Sequence, residues 1–138
     1  MVQRHGRRRR DVGGAPELSG RTVLVTGGAG FVGSHLAEAL VDDNDVRVLD
    51  DLSAGRAEHV PPGVELIEGD VRDRDVLGWA MSDVDVVFHE AGLVSVDRSV
   101  EVPTESHETN VAATVELLDR AREEDARVVL ASSCAIYG

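Results

Sequence analysis

Between Gly20 and Gly138 the chain alternates two hydrophobic rhythms. Short apolar runs give way to longer stretches in which apolar residues recur every three or four positions, the helical period. The runs predict strands at 22–26, 46–49, 64–67, 84–89 and 127–131. The periodic stretches predict helices at 31–41, 73–81 and 104–124. On the first helix Val32, Leu36, Ala39 and Leu40 share a face; on the second, Val76, Leu77 and Ala80 do. On the third, Val111, Val115 and Leu118 form the stripe, with acids and arginines outside it. The segment 52–63 reads as a loop broken by Pro61-Pro62-Gly63. The nearly continuous apolar run at 84–89 suits a strand buried on both faces. Strands that alternate with helices predict an α/β fold, a doubly wound parallel sheet with right-handed crossovers that stops after about five strands. A single domain at 20–138 is expected, behind a disordered basic arm at 1–19.

In such a sheet ligands sit beyond the carboxyl ends of the strands. After the first strand come Gly27-Gly28-Ala29-Gly30-Phe31-Val32-Gly33, which fit both G-x-G-x-x-G and G-x-x-G-x-x-G. Either pattern is weak alone and strong between a strand and a helix. Gly27 or Gly28 permits the tight turn, Gly30 a close phosphate approach, and Gly33 the packing of helix on sheet. The helix dipole favours an anion at the same place. The pattern predicts the dinucleotide-binding form of a Rossmann fold. Asp50 follows Gly30 by 20 residues, where a carboxylate can accept both adenosine ribose hydroxyls. It would repel a 2′-phosphate, which favours NAD; Arg56 keeps NADP open. Asp51 reads equally as a solvated turn acid. Asp70-Val71 offer a carboxylate and an amide suited to an adenine edge, or else an Asp that caps the next turn. Ala91 and Gly92 leave room for a dinucleotide, and His89 reads as a packed, hydrogen-bonded histidine rather than a base. Ser132-Ser133 present hydroxyls to the nicotinamide or a sugar, or close a turn of their own. His5, His35, His59 and His107 lack metal-ligand spacing, so no metal is expected.

Composition narrows the setting. The lone cysteine, Cys134, excludes a disulfide within the chain, and a cytoplasmic location is expected. No apolar stretch approaches a membrane span. No apolar signal core follows the arginines at 7–10. All 14 basic residues are arginine. The net charge of −12 divides into +3 over residues 1–20 and −15 over the rest. A body this acidic repels nucleic acid and anionic lipid, so neither is expected as a partner. A lysine-free, acidic, Val- and Ala-rich chain has the look of a protein from a salt-loving organism.

Taken together, these residues resemble the extended short-chain dehydrogenase/reductase family, and within it the NAD-dependent nucleotide-sugar epimerases and dehydratases of the UDP-glucose 4-epimerase-like branch. The motifs are T-G-G-A-G-F-V-G-S-H-L, L-D-D-L-S-A-G, E-G-D-V-R-D, H-E-A-G-L-V-S-V-D-R-S-V, T-N-V-A-A-T and L-A-S-S-C-A-I-Y-G. The resemblance implies that Gly27, Gly30, Phe31, Val32 and Gly33 hold the pyrophosphate of NAD. It implies that Asp50, Asp51, Leu52, Ser53, Ala54 and Gly55 wrap the adenosine ribose and phosphate, and that Asp70 and Val71 hold adenine. Glu90, Ala91, Gly92, Leu93 and Val94 would line the cofactor, with Asn110 on the helix behind and Ser132 at the nicotinamide side. Ser133 falls at the family's serine that assists catalysis. Such enzymes oxidise a sugar hydroxyl to a ketone and return the hydride or use the ketone onward. A nucleotide sugar is the implied substrate, bound with the help of a second domain, and a homodimer is one state open to the chain.

Three departures stand out. Glu90 replaces a residue that is more usually neutral, and Val94 stands where some epimerases have lysine. The family's catalytic Tyr-x-x-x-Lys pair, in which the lysine lowers the tyrosine's pKa, is absent; Tyr137 is not that tyrosine, because the chain has no lysine. The expectation is the N-terminal, cofactor-binding part of such an enzyme, without its C-terminal substrate domain. The alternative is a catalytically dead fragment or a non-catalytic dinucleotide-binding module, whose fifth strand would be an association-prone edge. Val96-Asp97-Arg98-Ser99 also resemble dehydratases, so epimerase and dehydratase stay unseparated.

The charge pattern yields a test. In molar salt the screening length is about 3 Å, so the acidic body's self-repulsion is removed. The fold is expected to loosen in dilute buffer; far-ultraviolet circular dichroism unchanged from molar to millimolar salt would contradict this.

Overall fold

The computed structural model describes residues 18–137. The arm expected at 1–19 lies outside them except for its last two residues, and Leu18 packs against the core rather than belonging to an arm. The order is β1 (Thr22–Thr26), α1 (Phe31–Leu40), β2 (Asp45–Asp50), β3 (Glu65–Glu68), α2 (Arg74–Met81), β4 (Val86–His89), α3 (Val96–Glu101), α4 (Pro103–His107), α5 (Ala113–Glu123) and β5 (Arg127–Leu130). All strands pair in parallel, in the spatial order β3-β2-β1-β4-β5. The chain moves outward from β1 to β3, then crosses back to place β4 on the other side of β1. That reversal between β1 and β4 is the crevice where a doubly wound sheet binds its ligand.

Alternation along β1 builds two cores. Val23 and Val25 face α1 with Val46, Val48, Val86 and Ala37. Leu24 faces the opposite way, with Leu49, Val87, Leu77, Met81 and Leu117, under α2 and α5. Val23, Leu24 and Val25 are all fully buried, as the central strand of a parallel sheet requires.

The helix faces differ from the expectation in two places. On α1 the buried residues are Gly33 and Ala37, while Val32 is 54% exposed and Ala39 is exposed too. Leu36 and Leu40 flank the contact, half-buried. The helix lies so close to the glycine turn that a Cβ on Gly33 would collide with the Gly27 carbonyl oxygen, so small residues form the contact. On α5 the buried stripe is Ala113, Leu117 and Ala121. Val111, Val115 and Leu118 point outward. The helix carries two apolar stripes, and the sheet takes the one with small residues at its ends.

The helix expected at 104–124 is interrupted. It starts as α4, with Pro103 in its first turn, passes through a π-helical turn at Glu108–Ala112 and resumes as α5. The short α3 was not expected; its signal is Ser95, whose hydroxyl accepts from the Arg98 amide as an N-cap does. Inside the loop expected at 52–63 a single 3-10 turn forms at Ala57–His59.

The corrected face of α5 is testable. Leu117→Ala should destabilise by about 2–5 kcal/mol, the range for a fully buried leucine. Leu118→Ala should stay within about 0.5 kcal/mol. Urea melts of the two variants decide which stripe is buried; a reversed order would restore the outward stripe as the core.

Candidate functional site

Backbone hydrogen bonds hold the strand ends level with one another. Gly27 donates to Leu49, Gly69 to Asp50, Glu90 to Thr26 and Ala131 to His89, each to the carbonyl. The residues that follow the strands therefore share one edge of the sheet.

The first of these is the glycine turn. Gly27 has φ +68°, a left-handed conformation that favours glycine, and a Cβ there would lie 2.7 Å from the Ala91 amide nitrogen. Of the two glycines open for the tight turn, the backbone thus assigns Gly27. Gly30 sits at the N-cap of α1 with no side-chain cap, and the first turn holds no acid. Gly30 donates to Gly27 and accepts from Ser34. Among the described residues nothing accepts from the amides of Phe31, Val32 or Gly33. Unpaired amides at a helix N-terminus form an anion cradle.

Asp50, at the end of β2, is 8% exposed. One carboxylate oxygen accepts from the Ala29 amide at 2.9 Å and the other from the Leu52 amide at 2.9 Å. A carboxylate has about four acceptor positions, so both oxygens keep capacity for a ligand's hydroxyls. Leu52 adopts φ +58°, a strained conformation for a side-chain-bearing residue. Asp51 accepts from the amide and hydroxyl of Ser53, which is the turn-acid arrangement. Gly55 comes so near the glycine turn that a Cβ would lie 2.7 Å from the Ala29 carbonyl carbon. A groove of about 550 Å³ runs alongside, lined in part by Ala29, Gly30, Phe31, His35, Ala54 and His59.

Asp70 follows β3, with Val71 buried beside it. Arg72 grips the Asp70 carboxylate through its backbone amide, Nε and Nη2, the last at 2.6 Å. The guanidinium holds the Asp70 carboxyl below the usual carboxylate range. Asp70 thus closes its own turn, and its carboxylate already has a cation.

Beyond β4, Glu90 and Ala91 pack on Gly27. Asn110, in the π-helical turn, clamps the next residues: its Oδ1 accepts from the Leu93 amide at 2.7 Å and its Nδ2 donates to the Leu93 carbonyl at 3.0 Å. Gly92 lies beneath this clamp, and Val94 is 90% exposed. Ser132 and Ser133 follow β5 at the surface, and the Ser133 carbonyl accepts from Ile136.

The structure thus gathers Gly27 to Gly33, Asp50, Gly55, Glu90, Ala91 and Asn110 around the β1/β4 crevice. Asp70 and Ser132 stand at its two flanks. Residues not singled out from the sequence also belong to the frame. Ala29 is pinned on both sides, its carbonyl accepting from Arg56 and from His59 Nδ1. Thr26 and Thr114 bracket His89. Thr114 stands four residues after Asn110, one helical turn on, and that spacing was the available signal.

Known proteins share this fold. UDP-glucose 4-epimerase of Azospirillum brasilense is 44% identical over 120 residues, which cover 84% of this chain and 34% of that protein. A UDP-N-acetylglucosamine 4-epimerase from Methanobrevibacter ruminantium M1, in complex with UDP-N-acetylmuramic acid, superposes with a TM-score of 0.81 at 37% identity, covering 88% of this chain and 40% of that one. The UDP-glucose 4-epimerase of Thermus thermophilus, in complex with NAD, gives 0.72 at 39% identity, covering 81% and 37%. The chain therefore spans well under half the length of these relatives. The sequence pattern of the NAD dependent epimerase/dehydratase family matches residues 23–138. This chain belongs to the NAD-dependent epimerase/dehydratase family.

Proposed function

We propose that this chain is the NAD-binding part of a nucleotide-sugar epimerase or dehydratase. The carrying observation is the open cradle of Phe31, Val32 and Gly33 amides, set one turn from a carboxylate that keeps free acceptor capacity. A dinucleotide needs that pair of features, anion binding and a ribose acceptor, within one crevice. The pyrophosphate lies over Gly27, Gly30, Phe31, Val32 and Gly33. Asp50 takes the adenosine ribose, with Asp51, Leu52, Ser53, Ala54 and Gly55 around the ribose and phosphate. Adenine sits at Asp70 and Val71. Glu90, Ala91, Gly92, Leu93 and Val94 line the far side, backed by Asn110 and Ser132. NAD bound there supplies a hydride acceptor for a sugar carbon. Ser133 is the group in this chain placed toward the sugar, and a nucleotide sugar is the substrate class.

Specificity follows from charge. The Asp50 carboxylate is buried and already accepts two amides, so a second anion beside it is strongly disfavoured. NAD is therefore preferred to NADP. Charged hydrogen bonds contribute about 1.5–3 kcal/mol each. Asp50→Ala should weaken NAD binding by about tenfold or more and narrow the preference over NADP. Isothermal titration with both nucleotides checks this. Equal NAD affinity in the variant would refute the ribose assignment.

A further inference from the structure

His89 is 3% exposed at the end of β4, and no step above uses it. Its ring lies between two threonines. The Thr26 hydroxyl is 2.6 Å from Nδ1, and the Thr114 hydroxyl is 3.0 Å from Nε2. The neighbours fix the direction of each bond. Thr114 donates its proton to the Asn110 carbonyl at 2.9 Å, so it meets the ring as an acceptor. Nε2 must therefore carry the ring's proton. Thr26 accepts from the Ala91 amide at 3.2 Å, and among the described residues the ring is the one acceptor its own proton meets. Nδ1 is therefore bare. One directed chain results: Ala91 amide to Thr26, Thr26 to His89, His89 to Thr114, Thr114 to the Asn110 carbonyl.

Both ends of that chain hold the same loop. Ala91 begins the 91–94 segment, and the side chain of Asn110 clamps Leu93 in its middle. We propose that His89, through Thr26 and Thr114, is a positioning residue that holds the 90–94 segment in the shape the cofactor requires. The inference rests on the NAD-binding reading of this crevice. The ring nitrogens of His89 bond the two threonines and not the cradle amides or Asp50; it acts through Ala91 and Asn110.

Proton economy makes the device directional. A second proton would sit on Nδ1 and turn that nitrogen from acceptor to donor. Thr26 would then lose its acceptor, and the chain would break between β1 and the loop. Burial alone pushes the His89 pKa below its ordinary 6.5. Thr26 from β1 and Thr114 from α5 meet the ring nitrogens, and Leu130 of β5 is its sheet neighbour. The adjacent carboxylate, Glu90, bonds neither nitrogen. The folded state thus disfavours the proton. The arrangement is complete above the ordinary histidine range and is lost as pH falls through the lowered folded value.

The test combines a proton readout with cofactor binding. Long-range proton–nitrogen correlation spectra of the whole chain should show His89 protonated at Nε2 only, with Nδ1 bare, at neutral pH. A ring protonated at Nδ1, or one that titrates at the ordinary value, overturns the proposal. Thr114→Val, isosteric and half-buried, removes both the acceptor for His89 Nε2 and the donor to the Asn110 carbonyl and should raise the NAD dissociation constant about tenfold or more. His89→Asn offers Thr26 an acceptor that cannot titrate. It should retain more affinity than His89→Leu and lose the acid inflection in NAD binding that the parent shows. Wild-type binding with unchanged affinity in Thr114→Val and the same acid inflection in His89→Asn overturns the positioning role alone. A wild-type chain that binds no NAD overturns the crevice reading, and this proposal with it.

Discussion

At Gly27 backbone meets backbone, with no side chain between. A Cβ there would fall within 3 Å of both Ala91 and Glu90. One on Gly33 would strike the Gly27 carbonyl, and one on Gly55 would press on Ala29. Through these contacts the end of β1, the start of α1, the loop after β2 and the loop after β4 close on a single turn. The closeness leaves the first amides of α1 facing outward with nothing of the protein's own to bind. It also sets the packing distance of α1 on the sheet. The helix can come that near only with small residues, so Gly33 and Ala37 take the contact and Val32 is left outside.

The same constraint explains how much could be read in advance. Five strands, their parallel order of succession and the α/β class were legible because strands buried on both faces leave unbroken apolar runs, as in Val23-Leu24-Val25. The glycine turn was legible because no side chain is tolerated at several of its positions. The faces of α1 and α5 were not. Hydropathy weights a residue by size, whereas contact with a sheet at short range selects against size. On α5, Ala113 and Ala121 flank Leu117 in the buried stripe while Val115 and Leu118 face outward. A stripe chosen by bulk falls on the wrong side wherever the packing is close.

The site residues divide in the same way. Asp50 stands out by its distance from the glycines, yet its internal role was not legible. Its two bonds to Ala29 and Leu52 make it a brace for the turn, beside the acceptor role proposed for it. Those partners are amides, which carry no side-chain signature in a sequence. His89 shows the converse. A histidine at a strand end announces chemistry, but its meaning depends on two threonines that lie 63 and 25 residues away. Each threonine is ordinary where it stands, and only the register of β1 beside β4, with α5 packed against them, makes the set visible.

Arginine adds a last connection across the crevice. Arg72 holds Asp70 at 2.6 Å and reaches Glu108 at 3.8 Å, so one guanidinium ties the β3 end to the π-helical turn that carries Asn110. The planar fork engages two carboxylates in fixed directions, which a lysine's single ammonium does less well. The groups are about a third exposed or more, so salt screens their attraction and the tie adds little to stability. Its consequence is geometric. Asp70 at the β3 flank and the Asn110 clamp at the crevice are separated in sequence by the whole of α2, β4, α3 and α4. Arg72 links the two directly across that gap, through a contact that salt weakens along with the other exposed pairs.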